Sequence, residues 1–144
     1  MLLISIDGLQ PADILKSEER GIQVPNLKQF ITNGTYADKV KGVLPTVTYP
    51  SHATLLTGVN PAKHGIVGNN SFDPMQINQG GWFWYASDFK VPTLWDAAAK
   101  AGLSTANIHW PVSVQAKAVT WNIPQIWRTA HSDDAKLLKA LATP

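Results

Sequence analysis

Cysteine is absent from the 144 residues. A disulfide framework, thiolate catalysis and thiolate metal sites are therefore excluded, although the absence does not fix a cellular compartment. No apolar run approaches the ~20 residues of a membrane span. The N-terminus has neither a basic n-region nor a small-residue cleavage site, so it does not read as a signal peptide. An excess of one charge sign is missing too. The 12 basic and 10 acidic residues leave a net +2, too weak and too scattered to argue for nucleic acid or an anionic membrane. There is no internal repeat and no low-complexity tract. What remains is a chain that is 44% hydrophobic and 15% charged. It can bury a core and is not a disordered tail. Its length suits one domain, since domains cluster near ~100–150 residues.

The opening Met1-Leu2-Leu3-Ile4-Ser5-Ile6 is a short continuous apolar run ending in Asp7-Gly8. That pattern predicts a buried parallel strand followed by a turn. The chain would then begin inside a core strand, as one trimmed of a leader would. Pro25 to Gly34 predicts a short helix with Leu27, Phe30 and Ile31 on one face and Gly34 as its stop. Tyr36 to Val43 alternates loosely, as a strand does. Ala53 to Gly58 reads as a helix ended by Gly58. Pro92 to Ala101 predicts a helix with Leu94, Trp95 and Ala98 on one face, ended by Gly102. Ser104 to Trp110 follows as a strand broken by Pro111. Asp133 to Leu141 predicts a last helix with Ser132 or Asp133 as N-cap. Strands alternating with helices predict an α/β fold with a mainly parallel sheet flanked by helices. The stretch near 70–91, with Gly80-Gly81 and the aromatic run Trp82 to Tyr85, reads as a loop excursion.

The segment Leu44 to Gly58 carries the chemistry. A strand ending near Leu44 and a helix beginning near Pro50 place Thr48 or Tyr49 at the N-cap. A helix N-terminus offers unpaired N–H groups and partial positive charge, which suit phosphate. A threonine hydroxyl there faces the bound anion, but it is also an ordinary N-cap. Thr46 lies two residues further from the helix start and matches that position less well. Ser51 and His52 are neighbours on a helix and so do not face each other. On local grounds His52 reads as a residue of the helix face or a support behind the site, and His64 as structural. Asp7, at the carboxyl end of its strand, suits a metal ion or polar substrate; capping the following turn comes first on local grounds. Asn69 would donate its amide hydrogens to an oxyanion, or equally stabilise a turn.

Taken in order, the Asp-Gly after the first strand, Pro-Asn-Leu at 25–27, Pro-Thr-Val-Thr-Tyr-Pro-Ser-His at 45–52, Leu-Leu-Thr-Gly at 55–58 and Asn-Pro-Ala-Lys-His-Gly-Ile-Val-Gly-Asn at 60–69 form a specific set. With Pro92-Thr93-Leu94-Trp95, Ala101-Gly102 and Trp110-Pro111, this set resembles the type I phosphodiesterase/nucleotide pyrophosphatase family of the alkaline phosphatase superfamily. The resemblance covers most of residues 2 to 111 and is thin beyond.

The resemblance implies an alkaline-phosphatase-like fold, incomplete at the C-terminus, with residues 1–144 as the N-terminal part of a single catalytic domain. It implies zinc-dependent hydrolysis of phosphodiester or nucleotide pyrophosphate bonds through a phospho-threonine intermediate. In that picture Thr48 is the nucleophile and a metal ligand, and Asp7 is a metal-binding aspartate. Asn69 and the backbone N–H of Tyr49 hold the phosphoryl oxygens. Two zinc ions would need further Asp and His ligands, expected beyond Pro144. The only candidates after Trp110 are His131, Asp133 and Asp134, and none sits in a suitable motif. The 144 residues alone would then be inactive.

The implied substrate is a small phosphodiester or nucleotide, and the implied location is periplasmic or extracellular. Ser51 stands where many relatives carry Asn. A sulfatase is disfavoured, because Cys or Ser followed by x-Pro-x-Arg is absent. A serine-type phosphatase is disfavoured for want of an Asp-Ser pair. A phosphomonoester or phosphonate hydrolase of the same superfamily stays open. So does a catalytically incomplete α/β module that binds phosphorylated ligands.

Overall fold

The computed structural model describes residues 1–75, 81–126 and 133–144. Gly80, His131 and Ser132, singled out above, lie outside the described residues. The chain divides into two compact units, Met1–Lys41 and Gly42–Pro144. Among the described residues it is an α/β protein with six α-helices and a two-stranded parallel sheet.

In the first unit, α1 spans Pro11–Leu15 and α2 spans Pro25–Asn33. Each opens on proline, whose missing N–H costs nothing in a first turn. Asp13 accepts the Gln10 backbone N–H at 3.0 Å, which caps α1, and also pairs with Arg20. Lys28 meets Glu18 at 2.6 Å and holds its carboxyl below the usual range. The expected face of α2 is only partly covered: Leu27 and Ile31 are half-buried, while Phe30 is 74% exposed. Gly34 ends this helix in an extended conformation, so handedness does not require glycine there. Space does: a Cβ at Gly34 would lie 2.6 Å from the Phe30 carbonyl oxygen.

Two expected strands do not form. Met1–Ile6 is exposed throughout and outside any regular element, and Tyr36–Val43 likewise contains no strand. A strand exists only through its ladder, and the sheet among the described residues contains two other segments. The turn after the first segment does form. Leu9 N–H closes it on the Ile6 carbonyl at 3.3 Å, and Gly8 takes a φ of 76° that other residues rarely adopt.

The second unit holds the core. Its longest helix, α3 (Thr48–Thr57), buries Tyr49, Pro50, His52, Ala53 and Leu56. The predicted start near Pro50 moves back to Thr48, with Val47 as N-cap. Pro50 is tolerated at the third position because that N–H has no helical partner anyway. Gly58 ends α3 in the left-handed conformation, as expected. A short α4 (Pro61–His64) follows. A 3₁₀ turn at Ala86–Asp88 precedes α5 (Leu94–Lys100). Helix α5 starts later than Pro92 because Thr93 and Asp96 form a capping box: Asp96 accepts the Thr93 N–H at 2.7 Å. Trp95 of the expected face is buried, whereas Leu94 is exposed.

Strand β1 is Ala106–Ile108, shorter than the predicted Ser104–Trp110, and pairs in parallel with the unanticipated β2, Trp121–Ile123. Helix α6 (Asp134–Leu141) begins after Asp133 and is followed by Thr143, whose N–H donates to the Asn122 carbonyl of β2 at 2.9 Å.

Helix α3 supplies both apolar clusters. Leu56 packs with Trp95, Trp110, Ala116 and Val119. Tyr49 and Ala53 pack with Ile66 and Val112. Trp82, Phe83 and Trp84 of the aromatic run rest on this second cluster. Among the described residues, no helix is long and apolar enough to cross a membrane.

Candidate functional site

Thr48 is the first residue of α3 and half-buried. The start of this helix has few donors. Pro50 has no N–H, and Ser51 N–H already returns to the Val47 carbonyl at 3.2 Å. That leaves Thr48 and Tyr49 as the residues that carry the other backbone N–H groups of this first turn.

Asn69 reaches this turn from twenty residues away. Its Oδ1 accepts the Tyr49 N–H at 2.9 Å. Its own carbonyl accepts Phe83 N–H at 2.9 Å, and Asn70 bridges antiparallel to Trp82. The aromatic run therefore holds Asn69 in place from behind. An amide that accepts through Oδ1 keeps two Nδ2 hydrogens as donors.

Tyr49 is fully buried and fixed at three points. Its N–H meets Asn69, its hydroxyl donates to Gln125 Oε1, and its ring meets Trp82 edge-on at 5.2 Å. Burial drives its phenol pKa upward, so the hydroxyl stays a donor. His52 sits one turn along α3, with Nδ1 2.8 Å from the Thr48 carbonyl.

His64 is fully buried. Its Nδ1 lies 3.1 Å from the Ile66 N–H and its Nε2 lies 3.1 Å from Thr54 Oγ1. An N–H can only donate, so Nδ1 accepts and the ring proton sits on Nε2. Burial lowers the His64 pKa, against an opposing pull from the Pro50 carbonyl. This residue ties α3 to the loop after α4, in line with a structural role.

Of the residues singled out in the sequence, the structure brings Thr48, Tyr49 and Asn69 onto one helical turn. Asp7 stands in the first unit, at the tip of its turn. Gln125 has no mark in its local sequence, and Phe83, though part of the aromatic run, supports Asn69 through a backbone N–H that the sequence does not reveal; each acts through a contact distant along the chain. Among the described residues, no three His, Asp or Glu side chains gather to hold a metal ion. A carboxylate and a hydroxyl are suitable zinc donors, but two donors do not close a zinc site. A cavity of about 510 Å³ bounded by Phe89, Lys90, Thr93, Trp95, Gln115 and Lys117 includes none of the candidate residues in its lining.

A family model described as type I phosphodiesterase / nucleotide pyrophosphatase matches residues 1–140. The chain is 29% identical to ectonucleotide pyrophosphatase/phosphodiesterase family member 3 of Rattus norvegicus, over 99% of this chain and 16% of that protein. It is 36% identical to bis(5′-adenosyl)-triphosphatase enpp4 of Mus musculus, over 77% of this chain and 24% of that protein. It is 29% identical to a venom phosphodiesterase of Naja atra, over 98% of this chain and 17% of that protein. In each case the matched part is less than a quarter of the relative's length.

Proposed function

The chain belongs to the type I phosphodiesterase/nucleotide pyrophosphatase family, a family of hydrolases, and from that premise we propose that residues 1–144 are the N-terminal part of one catalytic domain with an alkaline-phosphatase-like fold. The whole protein hydrolyses phosphodiester or nucleotide pyrophosphate bonds, and Thr48 is its nucleophile. The observation that carries this reading is the hydrogen bond from Tyr49 N–H to Asn69 Oδ1, which joins Asn69 to the helical turn that begins with Thr48.

The chemistry proposed for these residues is as follows. The phosphoryl group lies against the N-terminus of α3, where N–H groups and the helix dipole favour negative charge. Thr48 Oγ1 attacks phosphorus, the bond to the leaving oxygen breaks, and phospho-threonine forms. Water then attacks phosphorus and returns the threonine hydroxyl. Tyr49 N–H, held by Asn69 beforehand, is shared with a phosphoryl oxygen, and Asn69 Nδ2 donates to a second one. Zinc, for which the resemblance names Asp7 and Thr48 among the ligands, would lower the pKa of a coordinated hydroxyl when bound.

We also assign the protein to an extracellular or periplasmic location, a reading supported by relatives named as venom and ecto-enzymes. Thr48→Ala in the whole protein is expected to abolish hydrolysis of bis-p-nitrophenyl phosphate while leaving the fold intact. Retention of activity would overturn the nucleophile assignment.

For residues 1–144 by themselves, the N-terminal turn of α3 with Asn69 held against Tyr49 supports a second reading, phosphate binding without hydrolysis. Zinc titration of that piece by calorimetry is expected to show weak binding. Two tight sites would refute this second reading.

A further inference from the structure

We propose that His52 is a positioning residue for the reaction, acting by aiming the Tyr49 N–H through the rigid peptide unit that joins Thr48 to Tyr49. The inference rests on the functional reading above. A peptide unit is planar, and its C=O and N–H point in opposite directions across one stiff plane. In this protein both ends of the 48–49 plane are held. His52 Nδ1 lies 2.8 Å from the Thr48 oxygen, and Asn69 Oδ1 accepts the Tyr49 N–H at 2.9 Å. Turning the carbonyl end turns the N–H end with it.

The tautomer follows from the partner. A carbonyl oxygen only accepts, so the neutral His52 ring carries its proton on Nδ1. This is the reverse of His64, whose Nδ1 accepts from Ile66. A helical carbonyl has two lone pairs, so it can take the ring N–H in addition to its backbone partner.

The ring cannot swing away easily. It is 9% exposed and meets Trp110 edge-on at 5.2 Å. Trp110 is itself fixed by its backbone: its N–H donates to Asn107 Oδ1 at 3.2 Å, and its carbonyl accepts Ser113 Oγ at 2.6 Å. Asn107 lies in β1 and donates to Asn122 of β2 at 2.7 Å. The sheet thus reaches the oxyanion donor through Trp110 and His52. A donor aimed beforehand needs no reorganisation as charge develops in the transition state.

Two substitutions separate the hydrogen bond from the packing. His52→Phe keeps an aromatic edge for Trp110 and removes the donor. His52→Asn places an amide N–H near the Nδ1 position and removes the ring. In the whole protein, His52→Phe is expected to lower kcat by about 10–100-fold with KM nearly unchanged, below the loss from deleting an oxyanion donor outright. His52→Asn is expected to recover most of that loss even if it melts earlier. Wild-type kcat in His52→Phe, or equal losses in both variants, would overturn the proposal.

A second readout does not depend on the reaction. In 15N-tyrosine-labelled protein, hydrogen exchange at the Tyr49 amide is expected to quicken at least about tenfold in His52→Phe and to stay near the parent rate in His52→Asn. An unchanged Tyr49 amide in His52→Phe would refute the coupling through the peptide plane. Activity in Thr48→Ala would instead refute the functional reading and leave that coupling standing.

Discussion

Met1–Lys41 and Gly42–Pro144 both carry strongly apolar stretches, and only the second buries them. In the first, Ile4 is 67%, Ile6 54% and Phe30 74% exposed, and the one buried residue is Ser17. In the second, Tyr49, Ile66, Val112 and Val114 are fully buried. An apolar run states what a segment needs, and a partner surface decides whether it obtains it. A parallel strand needs neighbours beside it and cover on both faces. The second region shows the same lesson at its own sheet, where Ile108 is 74% and Trp121 57% exposed while Asn107 and Asn122 between them are buried.

The largest expected effect tests this contrast directly. Ile66→Ala removes packing from a filled cluster and is expected to cost roughly 2–5 kcal/mol. Ile4→Ala removes side-chain surface already in water and is expected to stay within about 0.5 kcal/mol. Urea denaturation of both variants measures the difference. Similar losses would mean that Met1–Ile6 is packed in solution, and the contrast would collapse.

Helices α2, α3, α5 and α6 are legible in the sequence because signals such as Gly34, Gly58 and the leucine spacing of α6 act within a turn or two, whereas the short α1 and α4 and the Thr93 cap are not among the expectations. The turn that carries Thr48 is legible for the same reason, but it starts two residues before Pro50, because a proline also fits the third helical position. The strands were much less legible. Met1–Ile6 and Tyr36–Val43 match strand patterns without forming ladders, and β2 was missed. Its central Asn122 satisfies itself through Asn107, the Ser113 carbonyl and Thr143, partners that no local window contains. Around the candidate site, the residue types were readable, but their supports were not. Phe83 behind Asn69 and Gln125 beneath Tyr49 become visible only once the chain has folded.

The next test sharpens the contrast through pH. His64 lies in the packed region, and burial holds its pKa below the ordinary value of 6.5. In the unfolded chain the ring takes up its proton near that ordinary value, so below it the unfolded state binds more protons. Stability therefore falls as pH drops through 6.5 and levels off only below the lowered folded value. His64→Gln is expected to flatten this part of the profile, read from urea midpoints across mildly acidic pH. An unchanged slope would show that His64 is solvated in the folded protein and that the packing around it is looser than described.

The smallest expected effect concerns what each region can hold in a strained conformation. In Met1–Lys41 the residues with positive φ are the glycines Gly8 and Gly21, whereas the second region holds His109 at 57°, Val112 at 56° and Gln115 at 58°. A left-handed conformation costs a non-glycine residue roughly 1–2 kcal/mol, so packing or hydrogen bonds must over-determine it. Gln115 is exposed and Val112 is fully buried. Gln115→Gly relieves the strain and loses little contact. After the added freedom of the unfolded chain is subtracted, it is expected to stabilise by roughly 0.5–1 kcal/mol. Val112→Gly gains the same relief but gives up a buried side chain worth about 1.5–3 kcal/mol, so its net effect has the opposite sign. If both glycine variants were stabilising, the cluster around Tyr49 and Ile66 would not be what holds the backbone at Val112. Opposite signs in the two urea midpoints would tie the strain to the packing that Met1–Lys41 lacks.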